Sequence, residues 1–317
     1  MLAQVNPRAS NDPRASKDLL VTKDAHIDTS ADKAKTTERL HLTTLGRGSR
    51  VVLVHGFTQT GRSWDEMASE LVGEHEIVVV DLPGHGQSSA VHAGIESGAR
   101  LLADAAGQGT YVGYSMGGRY CLRLALSFPH LVERLVLIST SPGIEDPAER
   151  AARKVSDDAL AESLDPGGAT SPSPPPTAAD VPDERARLKS FLHTWLSRPL
   201  FSDLDPALAR LESRLAENTC AGLASSLRLA GAGVTDPVWR RLGELRMPVL
   251  VVAGTRDHKY ARIAARMVDE IGSGAQLALI DGAGHAAHLA RHQEVARILR
   301  AFIESPAPAI LGPCVCT

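Results

Sequence analysis

The sequence Gly113-Tyr114-Ser115-Met116-Gly117-Gly118 carries the strongest structural signal in this chain. It follows the apolar pair Tyr111 and Val112 and precedes a helix-like segment over residues 119–128. A Gly-x-Ser-x-Gly motif between a strand and a helix predicts a sharp, strained turn, because glycines let the backbone approach closely on either side of the serine. We therefore predict that Ser115 stands at the carboxyl edge of a sheet as a reactive side chain. An ordinary serine in a glycine-rich turn is the alternative.

Two later apolar runs end in residues that suit the partners of a reactive serine. Residues 249–254 read as a buried parallel strand followed by Asp257, and residues 277–280 read as another strand followed by His285. The chain order serine, acid, histidine, with each partner in a loop after a strand, is typical of α/β-hydrolases. We therefore predict a catalytic triad of Ser115, Asp257 and His285.

Other assignments stay open for both partners of the serine. Asp257 also suits a cap for the helix expected over residues 259–270. Two other acids are weaker alternatives to it, namely Asp281 and Asp146. Loop position favours His285, since the competing histidines fall within the helix expected from about residue 286. These competitors are His288 and His292.

The run over residues 51–54 ends in His55-Gly56-Phe57 and predicts part of an oxyanion hole. In this arrangement the loop after that strand supplies one backbone N–H group, and the residue after the nucleophile supplies the other. We therefore predict that the N–H groups of Phe57 and Met116 form the hole. Backbone donors do not depend on the side chain, so this prediction rests on position alone.

The alternation of short Val/Leu/Ile runs with helical segments predicts an α/β fold. We expect the α/β-hydrolase fold, with a mostly parallel, doubly wound sheet and an inserted helical cap. Residues 40–44 and 51–54 are predicted to form a hairpin that turns at Gly46-Arg47-Gly48.

Composition shifts suggest five segments and one internal loop. Residues 1–37 form a polar lead, expected to be disordered or a targeting remnant. The remaining segments are a first core part at 38–140, a helical cap at 141–236, a second core part at 237–303 and a tail at 304–317. Within the cap, the Pro/Ser-rich stretch 165–182 is expected to be a loop without packed structure.

Composition argues against several classes of protein. The 317 residues are 43% hydrophobic, enough for one large domain with an insertion. A net charge of −3 with scattered Lys and Arg predicts no binding to nucleic acid or membrane surfaces. No apolar stretch approaches the roughly 20 residues of a membrane span. Four cysteines are too few for a disulfide framework, which predicts a cytoplasmic setting, or an organellar one if the lead is a transit peptide.

Basic residues near the motif predict an anionic substrate. Arg119 lies four residues after Ser115, one turn into the helix, where it can face the same pocket. A cation in a first turn opposes the helix dipole by roughly 0.3–1 kcal/mol, which suggests a functional cause. A surface arginine paired with a carboxylate is the alternative. The run at 149–154 leads into the cap, and its Arg150 or Arg153 can reach the cleft; for Arg150 and Lys154 we favour a solvated charge.

With these features the chain closely resembles the 2-succinyl-6-hydroxy-2,4-cyclohexadiene-1-carboxylate synthases, pyruvate-eliminating enzymes of the menaquinone and phylloquinone pathways. The resemblance covers roughly residues 40–303. Its most specific parts are Arg119 directly after the double glycine, the segment around Arg153, and Asp257-His258-Lys259-Tyr260. Further matching stretches are His55-Gly56-Phe57-Thr58, Asp81-Leu82-Pro83-Gly84-His85-Gly86, Ser141-Pro142-Gly143-Ile144 and Phe191-Leu192-His193-Thr194-Trp195.

The resemblance implies roles for individual residues and a reaction. It implies the triad already predicted, and substrate binding by Arg119, Arg153, Trp195 and Tyr114. The implied substrate is a small polyanion with a ring carboxylate, a succinyl chain and an enolpyruvyl ether. Loss of a ring proton next to carbonyl groups then expels pyruvate. This chemistry needs no metal or organic cofactor, and we identify no ligand cluster for one in the sequence.

Two other functions stay in view, and the oligomeric state is left open. A hydrolase of small esters or of carbon–carbon bonds uses the same triad, with Ser115 as a covalent nucleophile. Only the basic residues argue against it. A non-catalytic binding module is disfavoured, because serine, acid and histidine are all present at the expected loops.

Overall fold

A computed structural model of the chain describes residues 39–166, residue 168 and residues 184–305. The predicted lead at 1–37 and most of both the loop at 165–182 and the tail at 304–317 lie outside these residues.

The described residues form a seven-stranded sheet. Its strands, in chain order, are β1 (Leu42–Gly46), β2 (Ser49–Val54), β3 (His75–Val80), β4 (Gly109–Tyr114), β5 (Val132–Ile138), β6 (Val249–Gly254) and β7 (Ala275–Ile280). Across the sheet the order is β1-β3-β2-β4-β5-β6-β7. The β1–β3 pair is antiparallel and all the other pairs are parallel. The predicted fold class, a mostly parallel sheet with helices, is confirmed.

The predicted hairpin of β1 and β2 is wrong, because β3 lies between them. Val80 of β3 stands opposite Leu42 of β1 and opposite Val54 of β2. Gly46, with φ of 76°, does reverse the chain, but a Cβ there would lie 2.5 Å from the His75 carbonyl oxygen. The turn thus packs on the start of β3. Residues 51–54 of β2 are completely buried, so β2 needs a partner on both sides, whereas the exposed β1 suits an edge.

Helices cover both faces of the sheet. They are α1 (Asp65–Leu71), α2 (Ile95–Ala106), α3 (Met116–Ser127), α4 (Pro147–Leu164), α5 (Glu184–Leu196), α6 (Leu211–Glu217), α7 (Cys220–Ala230), α8 (His258–Ile271), α9 (Ala287–Ala290) and α10 (His292–Glu304). No α-helix in the described ranges is both long enough and apolar enough to cross a membrane.

Alternate strand residues determine which helices pack on which face. Val52 and Val251 belong to one apolar cluster with α2, α3 and α8, while their neighbours Val51 and Leu250 belong to another with α1 and α10. Successive side chains of a strand point to opposite faces, so an unbroken apolar strand needs helices on both sides. Burial of each such side chain contributes about 1.5–3 kcal/mol. This doubly wound arrangement holds the carboxyl ends of the parallel strands at one edge.

Helices α4 to α7 follow one another between β5 and β6, within residues 141–236, which we call the cap segment. Their apolar side chains form a third cluster, which includes Leu164, Leu192, Leu215 and Leu223. Phe57, from the loop after β2, packs against this cluster. The cap segment therefore contacts the loop predicted to supply an oxyanion-hole amide.

Candidate active site

Ser115 lies in a strained turn between β4 and α3. Its φ of 50° and ψ of −109° are unfavourable for a side chain with a Cβ. The Ser115 N–H donates to the Ile138 carbonyl at 2.9 Å, and the Thr140 hydroxyl donates to the Ser115 carbonyl at 2.6 Å. A Cβ added to Gly117 would lie 2.2 Å from the Val54 carbonyl oxygen. The second motif glycine thus permits helix α3 to pack directly on β2, which holds the turn in place.

The structure brings the three predicted triad residues together. The Nδ1 atom of His285 lies 2.6 Å from Oδ2 of Asp257, and its Nε2 atom lies 3.2 Å from Oγ of Ser115. His285 and Asp257 are both buried, at 2% and 8% exposure. Because the carboxylate can only accept, we assign the proton to Nδ1, which leaves Nε2 to accept from the serine hydroxyl. Asp257 also accepts from the Tyr260 N–H at 3.3 Å, so it caps α8 at the same time.

The alternative acids and histidines make other contacts. Asp281 lies 3.4 Å from the Thr255 hydroxyl, and Asp146 caps α4 by accepting from the Glu149 N–H at 2.7 Å. His288 is buried and packs on the Tyr114 ring, with 4.0 Å between ring centroids. Burial is the main cause that lowers the pKa of His288 well below its ordinary value. His292 is the first residue of α10.

Phe57 and Met116 are the residues whose backbone N–H groups the sequence assigns to an oxyanion hole. Met116 is the first residue of α3, so its N–H has no intrahelical acceptor. No described residue accepts from the Phe57 N–H. Both residues line the same cavity as Ser115 and His285. These donors are free to stabilise negative charge on a bound molecule.

Buried polar contacts hold the loop that carries Phe57. Thr58 has a φ of 67°, and its N–H donates to Nε2 of His85 at 3.3 Å. Its hydroxyl accepts from Arg214, and its carbonyl accepts from the Asn218 amide at 3.1 Å. In addition, Nε2 of His55 accepts from the Leu82 N–H at 3.0 Å. Each imidazole must be unprotonated at Nε2 to accept these bonds.

Burial keeps both of these imidazoles neutral. It lowers the pKa of His55 to about 4 and, together with the nearby His55, that of His85 to about 3. Burial likewise lowers the pKa of Arg214 to about 10, which leaves it charged at neutral pH. The Phe57 loop is therefore supported by two neutral histidines and one buried cation.

Aromatic side chains form the walls of the cavity above Ser115. The rings of Phe57 and Trp195 meet edge to face, with centroids 4.9 Å apart. The Tyr260 ring lies 4.5 Å from His285, and the Phe201 ring lies 6.0 Å from it. Tyr114 also lines the cavity. Such walls suit a small molecule with an apolar ring.

Arg119 and Arg153 both line this cavity. Nη1 of Arg119 donates to the Ala230 carbonyl at 2.9 Å and to the Thr235 hydroxyl at 3.1 Å. Burial and, second, the charge of Arg153 lower the pKa of Arg119. Nε of Arg153 lies 2.8 Å from Oδ1 of the buried Asp157. Arg119 forms no ion pair with a carboxylate among residues 39–166 and 184–305, so the alternative of a paired surface arginine does not describe it.

The two basic neighbours of Arg153 lie elsewhere. Arg150 donates to the Ile144 carbonyl at 3.1 Å, and the exposed Lys154 pairs with Asp158 at 2.6 Å. Neither lines the cavity.

Arg198 and Tyr260 are among the cavity residues that sequence reasoning missed. The Cζ atom of Arg198 lies 4.3 Å from the centroid of the Trp195 ring. Nothing in the spacing of residues 195–198 indicates that this arginine faces the cavity. Tyr260 belongs to a stretch that carries the family resemblance, and its aromatic character was the one available signal. Burial raises the pKa of its hydroxyl, which therefore stays protonated.

The structure also shows one group of potential metal ligands that the sequence does not predict. Single ligand atoms of Glu74, His75 and Glu304 lie within 4.8 Å of one another. Glu74 forms an ion pair with Arg300 at 3.1 Å. None of these residues lines the cavity.

Comparison with known proteins places these features in a family context. The model of the alpha/beta hydrolase family matches residues 51–298. The 2-succinyl-6-hydroxy-2,4-cyclohexadiene-1-carboxylate synthase of Serratia proteamaculans (strain 568) is 27% identical over 265 residues, which cover 81% of this chain and 93% of that protein. Protein PHYLLO, chloroplastic, from Arabidopsis thaliana is 29% identical over 281 residues, which cover 81% of this chain but 15% of that much longer protein.

Among solved structures, MenH from S. aureus superposes with a TM-score of 0.71 at 28% sequence identity. The match covers 83% of this chain and 97% of that one. Together, these matches confirm the resemblance to the synthases that the sequence predicts.

Proposed function

The chain belongs to the alpha/beta hydrolase family, and from that premise we propose that it is a pyruvate-eliminating lyase of menaquinone or phylloquinone biosynthesis. Its substrate is 2-succinyl-5-enolpyruvyl-6-hydroxy-3-cyclohexene-1-carboxylate, and its product is 2-succinyl-6-hydroxy-2,4-cyclohexadiene-1-carboxylate. The synthase relatives support this assignment. The observation in the structure that carries it is that Arg119 and Arg153 line the same cavity as Ser115 and His285.

The reaction is a 1,4-elimination, in which a double bond lies between the carbon that loses a proton and the carbon that loses the enolpyruvyl group. A base removes the proton from C2, which is acidic because it lies next to the succinyl ketone. The C–H electron pair forms the C2–C3 double bond, and the C3–C4 double bond moves to C4–C5. The C5–O bond breaks, and its electrons leave with the enolpyruvyl oxygen. The departing enolate takes up a proton to become pyruvate, so no oxidant or reductant is needed.

Ser115 and His285 are placed to act as the base. Since Nε2 of His285 lies 3.2 Å from the serine oxygen, it can draw the hydroxyl proton as Oγ takes the proton from the substrate carbon. Asp257, at 2.6 Å from Nδ1, orients the imidazole and stabilises the positive charge that it gains. The same imidazolium is then a proton source for the departing enolate.

Negative charge develops on the substrate as the C2 proton leaves. The succinyl ketone oxygen receives part of this charge, and donors aimed at it lower the barrier. The N–H groups of Met116 and Phe57 are the donors that we assign to it. The cavity is lined by rings of Phe57, Trp195 and Phe201, which displace water and strengthen these hydrogen bonds.

The arginines position the substrate. A guanidinium binds both oxygens of a carboxylate through paired N–H donors. Arg119 uses Nη1 on Ala230 and Thr235, and its other N–H groups have no acceptor in the described part of the chain. Arg153 is oriented by Asp157. Binding of two carboxylates at these groups holds the ring with its acidic proton near Ser115.

The test is Ser115-dependent release of pyruvate. The enolpyruvyl substrate is prepared in situ, spontaneous elimination is subtracted, and hydrolysis of p-nitrophenyl acetate is followed in parallel. We expect fast pyruvate release with poor ester turnover, and a loss of about 10²- to 10⁴-fold in Ser115→Ala. Ser127→Ala, at the exposed end of α3, is the matched control and should retain full activity. No pyruvate above background, with Ser115-dependent ester cleavage, would instead identify a serine hydrolase.

A further inference from the structure

We propose that Arg198, which lies over the Trp195 ring, forms a third carboxylate-binding subsite in the cavity, beside those of Arg119 and Arg153. This inference rests on the proposed function, whose substrate carries three carboxylates: one on the ring, one on the succinyl chain and one on the enolpyruvyl group.

The backbone of Arg198 is fixed beside the aromatic wall of the cavity. Arg198 directly precedes Pro199, which begins a 3₁₀ turn at Pro199–Phe201, and its φ of −66° and ψ of 149° are those preferred before proline. Its N–H donates to the Trp195 carbonyl at 3.3 Å, at the end of α5. Trp195 is buried and Phe201 lines the same cavity. The backbone of Arg198 therefore carries its side chain next to two aromatic residues of the cavity.

The contact with Trp195 leaves the hydrogen-bond donors of Arg198 available. Its Cζ atom lies over the Trp195 ring, 4.3 Å from the ring centroid, within the range of a cation–π contact. A cation–π contact uses the charge of the guanidinium and leaves its N–H donors for other partners. Within the ranges that the structure describes, no oxygen accepts a hydrogen bond from this side chain and no carboxylate pairs with it. A planar anion at its edge is the partner that this arrangement fits.

The charges around Arg198 also favour an anion. Desolvation and, second, the positive charge of Arg153 lower the pKa of Arg198, and Arg153 has the same effect on Arg119. Three arginines thus line one cavity, and Asp157 is the carboxylate that pairs with one of them. Like charges that are partly removed from water repel one another unless an opposite charge binds between them. A tricarboxylate would relieve this repulsion more completely than a dicarboxylate.

The test separates the charge of Arg198 from its packing. Arg198→Gln keeps a planar group near Trp195 but removes the charge. Arg198→Lys keeps the charge but removes the paired N–H donors that bind both oxygens of a carboxylate. We expect Arg198→Gln to raise the KM for pyruvate release about 10- to 100-fold with kcat within about threefold, the range for loss of one charge-assisted hydrogen bond. Arg198→Lys should recover part of that loss. Arg241→Gln, which removes a half-buried arginine paired with Glu244 outside the cavity, is the control and should leave KM unchanged.

Binding without turnover makes the outcome independent of the proposed function. Calorimetry with tricarballylate (propane-1,2,3-tricarboxylate) and with glutarate compares three carboxylates with two. We expect Arg198→Gln to weaken tricarballylate about 10-fold or more and glutarate much less. If the wild type releases no pyruvate but this difference is found, the subsite stands and the proposed function falls. Two outcomes would overturn the subsite. In the first, Arg198→Gln leaves both KM and the affinity for tricarballylate unchanged. In the second, Arg198→Lys is impaired as much as Arg198→Gln and kcat falls in both variants.

Discussion

Arg214 of the cap segment donates a hydrogen bond from Nη1 to the hydroxyl of Thr58, 156 residues away in the chain. Thr58 directly follows Phe57, to which we assign an oxyanion-hole amide. Because Thr58 is held at a φ of 67°, an external contact is needed to keep this loop in its strained conformation. The contact links α6 to the backbone that faces the nucleophile.

We therefore expect Arg214→Met to lower kcat for pyruvate release about 10- to 100-fold while KM changes by less than about threefold. Arg214 does not line the cavity, so its loss misplaces the Phe57 amide without removing a substrate contact. Steady-state kinetics on Arg214→Met and on a control variant measure the effects on kcat and KM separately. Arg210→Met is the matched control, because Arg210 ties the same region to Asp65 and Glu66 but not to Thr58, and its activity should stay within about twofold. A rise in KM alone would show that Arg214 contacts substrate.

Asp257 performs two tasks that one substitution can separate. Asn caps a helix nearly as well as Asp, so Asp257→Asn should leave the free energy of unfolding almost unchanged. It removes the charge that stabilises the His285 imidazolium, so kcat should fall about 10²- to 10⁴-fold. Kinetics and urea unfolding on the same samples test both statements. Asp281→Asn is the control, and a comparable loss of activity there would reassign the acid.

Gly117→Ala should disrupt the turn at Ser115. The added Cβ would lie 2.2 Å from the Val54 carbonyl oxygen and 2.5 Å from that of His55, both backbone atoms that cannot move aside. We expect a loss of about 3 kcal/mol or more in the free energy of unfolding, at the upper end of the cost of overpacking. Gly73→Ala is the control, since nothing lies within 4 Å of a Cβ there, and its effect should stay within about 0.5 kcal/mol. Denaturant unfolding of Gly117→Ala and Gly73→Ala measures both changes in the free energy of unfolding.

Stability should depend on pH through the buried neutral histidines. Folding lowers the pKa of His55 to about 4 and that of His85 to about 3, while both titrate near 6.5 when the chain is unfolded. The unfolded state therefore binds more protons below pH 6.5. The free energy of unfolding should be highest above that pH and fall from about pH 6.5 towards pH 4, by up to about 1.4 kcal/mol per pH unit for each histidine.

Urea unfolding between pH 7.5 and 5.5 measures this slope above the range in which carboxylates titrate. His85→Gln should remove the contribution of one titrating histidine from the slope of the free energy of unfolding against pH, whatever its effect on absolute stability. His130→Gln, which replaces an exposed histidine, should leave the slope as it is. Identical slopes in the wild type and His85→Gln would contradict a neutral His85.

The amino-acid sequence by itself predicts the parts of this protein that local chemistry determines. The Gly-x-Ser-x-Gly motif, the short apolar runs and the loop positions of Asp257 and His285 each depend on neighbouring residues. They are enough to predict a mostly parallel sheet and a triad at one edge of it, since the carboxyl ends of parallel strands must meet there. The position of Arg119 can also be predicted locally, because it lies one helical turn after Ser115.

Tertiary structure alone decides the features that join distant parts of the chain. The turn at Gly46 predicts that the chain reverses direction after β1. Because β2 is buried and needs a partner on both sides, β3 and not β1 lies beside β2. Asp257 and Asp281 both follow strands, and only packing places one of them against His285. The contacts of Arg198 with the cavity and of Arg214 with Thr58 arise from the cap segment, whose helices pack by shape and not by a repeated motif. Such contacts depend on which apolar surfaces are buried together, and no local pattern of residues encodes that choice.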